Sequence, residues 1–147
     1  MSEDRSSAGD LVALPELIDD DEIWRRIPPE KVIFDESRNV FRPSKDSFND
    51  HPNGTPMSAF LAKVCKDPLL AVHDHEDFAL VGVRIKVLRE KKLEIVAAPK
   101  PDLPPGHVHV VGSKTDSVRK ALAKNFRWII DPPDHVKSEA KKKALGK

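Results

Sequence analysis

Between Phe78 and Leu88, Val81, Val83, Ile85 and Val87 alternate with Gly82, Arg84, Lys86 and Leu88, the period-two pattern of a half-buried strand. The charged turn Arg89–Lys92 and the apolar run Leu93–Ala97 follow, so these stretches predict a hairpin. Val32–Phe34 and Val40–Arg42 are β-branched and aromatic and flank the turn formers Asp35–Asn39, which predicts another hairpin. Val108, Val110 and Val111 predict a further strand. Ile23–Ile27 reads as a short strand or a helix end, halted by Pro28 and Pro29, neither of which donates a backbone hydrogen bond.

From Ser117 to Ile130 the period lengthens. Val118, Leu122, Phe126 and Ile129 share one helical face, widened by Ala121 and Trp128, with capping chemistry at Ser113–Ser117 and a stop at Pro132-Pro133. Met57, Phe60, Leu61 and Val64 fit a helix face or a buried strand, and helix is the reading taken for Met57–Val64. Leu11, Val12, Leu14, Leu17 and Ile18 recur near helical spacing ahead of the acidic run Asp19–Glu22. This segment reads as an amphipathic helix that packs on the chain's own core or docks on a partner through Leu14, Leu17 and Ile18. Asp46–Pro56 is a polar loop rich in turn formers. Pro99–Gly106, with four prolines in eight residues, is an extended connection.

These elements predict an α+β fold, a mainly antiparallel sheet of hairpins with one C-terminal helix packed on it and charged, partly disordered tails. At 147 residues one core is expected. The expected boundaries are an acidic N-terminal segment over residues 1–22, partly disordered, a single globular domain over 23–133, and a basic tail of frayed helix or coil over 134–147. Charge carries this division: Met1–Glu22 holds eight acids against Arg5 alone, and His135–Lys147 holds five lysines against Glu139 alone.

Composition narrows the function classes. Apolar stretches are too short for a membrane-spanning helix, and the polar, acidic start does not have the form of a secretory signal. The single cysteine, Cys65, has no partner for a disulfide or a CxxC zinc site. A cytoplasmic location follows as the expectation. Specific nucleic-acid binding is not expected from a nearly neutral domain with 5% aromatic residues.

Three constellations have the residue types for chemistry. His107 and His109 flank Val108 in a strand, which puts both imidazoles on one face about 7 Å apart. His73 and His75, beside Asp74, Glu76 and Asp77, form a second pair, and convergence of the four histidines would suit zinc or another divalent metal. No cofactor is expected unless they converge. Ser113, Lys114 and Thr115 join a strand to a helix start, where amides, hydroxyls and an ammonium could hold an anion, although the order of a nucleotide-triphosphate loop is absent. Arg25 and Arg42 would add to an anion-binding face if the first hairpin brought them together. No Gly-x-Ser-x-Gly elbow and no HExxH helix occurs. The leading expectation is therefore a noncatalytic module that contacts another protein. The runner-up is a small enzyme or ligand-binding domain built on the His-x-His strand, with a metal or an anion or nucleotide as its ligand.

Overall fold

The computed structural model describes residues 14–146, so the reading of Met1–Asp10 as disordered, and Leu11 and Val12 of the proposed N-terminal helix, lie outside the described residues. In chain order the elements are β1 (Glu22–Ile27), β2 (Val32–Asp35), β3 (Val40–Pro43), β4 (Met57–Leu61), α1 (Ala62–Cys65), α2 (Pro68–Ala71), β5 (Ala79–Arg84), α3 (Ile85–Glu90), β6 (Glu94–Ala97), β7 (His107–Val111), α4 (Asp116–Lys124), β8 (Arg127–Ile130) and α5 (Asp134–Ala144). Six strands pair antiparallel in the order β6-β7-β4-β1-β5-β8, and β2 and β3 form a separate hairpin. The fold is α+β, as the patterning predicts.

Alternation along the central strands separates two cores. Ile23, Ile27, Met57, Ala59, Leu61, Val81, Val83, Val108 and Val110 fill one face together with Leu122 and Ala123 of α4 and Val136 and Ala140 of α5. Each fully buried large aliphatic of this kind contributes about 1.5–3 kcal/mol. Trp24, Phe60 and Leu80 point the other way and form a smaller cluster with Cys65 and Ala71, from the one-turn helices α1 and α2.

Five local expectations are corrected. The Ser117–Ile130 helix ends at Lys124. Asn125 leaves helical geometry, its backbone N–H and side-chain Nδ2 both donating to Ala121 O, and the aromatic and β-branched Arg127–Ile130 becomes an edge strand on β5. The Phe78–Leu88 strand stops at Arg84, because the carbonyls of Asp21 and Asp19 accept the Ile85 and Lys86 amides at 2.7 and 3.1 Å and start a helix. Leu93–Ala97 does not pair back on β5; residues 94–97 pair with β7. Met57–Leu61 is a strand, held between β1 and β7, and only Ala62–Cys65 is helical. Leu14–Asp21 contains no helix.

The basic residues 134–144, set outside the domain on charge, form α5, and its Val136 and Ala140 enter the main core. No helix among the described residues is long and apolar enough to cross a membrane.

Candidate functional site

β4 pairs with β7 from Met57 to Phe60, whereas its pairing with β1 is confined to Ile23–Leu61 and Trp24–Phe60. Beyond Trp24 the sheet therefore opens, and Arg25 reaches into the gap. Its Nε donates to Ser47 O at 2.9 Å and its Nη1 to Ser58 O at 2.7 Å. Two neutral carbonyls orient the guanidinium, and no carboxylate among the described residues lies within ion-pair distance of it. Desolvation, with Arg26 adding repulsion, brings the Arg25 pKa down to about 10, against a smaller opposing pull from Asp50. Nη2 has no protein partner among the described residues.

The gap is the floor of a cleft of about 510 Å³ whose lining includes Arg25, Lys31, Ser58, Lys100, His107 and His109. The Asn49–Pro56 stretch of the polar loop forms its wall. Local bonds shape this wall: His51 N donates to Thr55 O, Gly54 N to His51 O, and Thr55 N to Asn53 Oδ1. Gly54, at φ +95°, supplies the left-handed turn. Asp50 ties the wall to the sheet by accepting Met57 N at 2.9 Å and Lys114 Nζ at 2.8 Å. Burial works against the Asp50 charge, but Lys114 and the Met57 amide outweigh it and hold the carboxyl below the usual aspartate range.

His107 and His109 share one face, as alternation predicts, with ring centroids 5.7 Å apart. His107 is buried and stands edge-on to Phe60. A carbonyl only accepts, so the 2.7 Å contact to Ala98 O places the His107 proton on Nδ1 and leaves Nε2 as the lone pair of the neutral ring. Desolvation holds the His107 pKa below the usual histidine value; the Ala98 bond opposes this, and nearby His109, Lys100 and Arg26 reinforce it. Nε2 of His109 is buried without a partner among the described residues.

The other candidates are placed differently. His75 Nδ1 lies 3.1 Å from Arg26 Nη1 and 2.8 Å from His73 O, while His73 is largely exposed. The two histidine pairs do not combine, and among the described residues no group of three His, Cys, Asp or Glu side chains is arranged to hold a metal. Lys114 is a structural lysine: its side chain is 4% exposed, and Nζ donates to Asp50, Val110 O and Gly112 O. Thr115 caps α4 by accepting Val118 N, and Ser113 is exposed. Arg42 does not join Arg25; it bonds Asp35 and Pro43 O on the β2–β3 hairpin. Leu14 and Leu17 pack against the main core, whereas Ile18 is 59% exposed. The Cys65 thiol is buried, and desolvation pushes its pKa up, the opposite of nucleophile activation.

Sequence reasoning found Arg25, His107, His109 and the polar loop, but not that they meet. It missed Lys31, Ser58 and Lys100, which carry no motif and are brought to the cleft from three separate parts of the chain. No family model matches the chain, and no curated protein and no solved structure matches it either.

Proposed function

We propose that the protein binds a small anionic ligand of the phosphate or nucleotide class in the Arg25 cleft. The observation that carries this reading is Arg25 itself, a desolvated cation oriented by two carbonyls, with no carboxylate at ion-pair distance among the described residues. Desolvating a charge is costly unless a counter-charge meets it, and an anion in the cleft would supply one. Lys31 and Lys100 add positive charge to the lining, and the carboxylates of Asp46 and Asp50 there are paired with Arg119 and Lys114. His107 and His109 also line the cleft, the first as a neutral ring and the second with a buried Nε2 that has no partner among the described residues. The lone, buried thiol fits work in a reducing compartment such as the cytoplasm.

The test is an NMR titration with inorganic phosphate, pyrophosphate and ADP in turn. Expected are saturable shifts at the Arg25 side chain, Ser58 and His107, with binding about tenfold weaker in Arg25→Lys, which keeps the charge but loses the fork geometry. Lys100→Ala, at an exposed position, should weaken it a few-fold without disturbing the fold. Unmoved shifts with all three probes would sink the reading.

A second reading, a noncatalytic module contacting another protein, is supported by Leu69 and Leu70, adjacent on α2 and 69% and 42% exposed. Leu69→Ser with Leu70→Ser should abolish recovery of a specific partner at unchanged stability. Undiminished recovery would remove this surface from consideration.

A further inference from the structure

A groove of about 500 Å³ lies where β3, the end of α4, β8 and α5 meet. Its charged lining is Arg38, Arg42, Lys124, Arg127 and Lys137 against Asp131 alone. Two of these cations are occupied, Arg42 by Asp35 and Arg127 by Glu22. Arg38, Lys124 and Lys137 have no carboxylate within ion-pair distance among the described residues. Lys141, one turn beyond Lys137 on α5, continues the line; these two ammoniums sit over the Phe34 and Phe41 rings, Lys141 at 5.2 Å and Lys137 at 5.7 Å from the centroids.

The floor is aromatic. Phe126 and Trp128 meet edge to face at 5.2 Å, and both are half-buried. Trp128 Nε1 donates to Phe41 O at 3.3 Å, so the indole is fixed and its polar atom is satisfied. What remains for a ligand is flat ring surface beside cations that have no carboxylate partner among the described residues.

We infer that this groove binds single-stranded nucleic acid, with phosphates along Arg38, Lys124, Lys137 and Lys141 and bases stacked on Trp128 and Phe126. Sequence-tolerant recognition of a single strand needs this pairing of a cationic track with aromatic faces. An acidic protein would use the cations but not the rings. A bilayer would call for several projecting aliphatic side chains, and among the described residues Val40 is the only aliphatic larger than alanine in the lining. The near-neutral net charge of +1 conceals the groove because most of the acids lie elsewhere along the chain.

Trp128 is also the reporter. The chain has two tryptophans and no tyrosine, and the other indole, Trp24, is 7% exposed. A labelled oligo-dT of about 12 nucleotides, within the usual span of a single-strand site, is titrated against the full chain by anisotropy and by tryptophan fluorescence. Binding with quenching is expected, with log K falling by about 3 per tenfold rise in salt, as about four single-strand phosphate contacts require. Arg38→Ala with Lys124→Ala changes two exposed side chains that make no ion pair among the described residues. It should weaken binding on the order of fiftyfold at about 50 mM salt with an unchanged melting curve. Trp128→Phe should remove the quenching while a labelled strand still binds. The inference is overturned by absent binding at low salt, or by heparin or phosphatidylserine vesicles competing equally well with binding unchanged in Arg38→Ala/Lys124→Ala.

Discussion

Arg127 grips Glu22 through two parallel hydrogen bonds, Nε to Oε2 at 2.7 Å and Nη2 to Oε1 at 2.8 Å, directly over Gly82. The pair spans β1 and β8 across β5, and Gly82 makes room for it: a Cβ there would stand 2.9 Å from the Glu22 carboxylate. Gly82→Ala must push the carboxylate aside. A double-mutant cycle on Glu22→Gln and Arg127→Gln, read by urea unfolding, is expected to give a coupling of about 0.5–1 kcal/mol with Gly82 in place. The same cycle should give close to none with alanine there. Equal coupling in both backgrounds would show that the glycine does not serve the pair.

Lys114 supplies a larger test, because its ammonium is spent on Asp50 and two carbonyls while nearly buried. Lys114→Met keeps the stem but strands these acceptors, and the expected cost is about 1–3 kcal/mol. Since Asp50 also holds the Met57 amide, that amide should exchange faster in the variant. The Asp50 pKa is depressed in the folded state, so its contribution is present above the unfolded-state value near 3.8 and is lost as pH falls through the folded value. In Lys114→Met the part of the acid-side stability loss that comes from Asp50 should shrink.

How much of this was legible follows from where each determinant lies. Alternation at Val81 and Val83, and at His107 and His109, is local and reads directly as strand. The end of β5 is not local: the Asp19 and Asp21 carbonyls that start α3 lie more than sixty residues earlier in the chain, so Ile85 and Val87 imitate a continuing strand. Leu93–Ala97 has the right composition for a hairpin, but composition does not choose between β5 and β7 as its partner. Lys114 looks like an anion site beside Ser113 and Thr115 until the fold brings Asp50 to it. Arg25 becomes a site residue only through the divergence of β1 and β4, which no spacing encodes.

Asp116 shows an ion-pair effect at the surface. The hydrogen bond from Lys45 comes first, with Lys120 second, and together they bring the Asp116 pKa down to about 2. Carboxyl-carbon NMR should find Asp116 titrating near there. Lys45→Ala should move it back toward the ordinary aspartate range, and Lys120→Ala should move it less. An identical Asp116 titration in Lys45→Ala would mean that the two side chains do not pair in solution.

His107 carries the pH dependence expected near neutrality. Its folded pKa lies below the unfolded value near 6.5, so below that pH the unfolded chain takes up a proton that the folded chain refuses. Stability is therefore full above about pH 6.5, declines as the pH falls toward the folded pKa, and loses nothing further from this group beneath it. His107→Asn retains an N–H able to reach Ala98 O but cannot titrate, so it separates the two roles of the ring. In urea unfolding between about pH 5 and 7, the asparagine variant should show a flatter slope than the parent protein. If both slopes are the same, His107 is not a buried neutral histidine, and the neutral ring assigned to it in the Arg25 cleft falls with it.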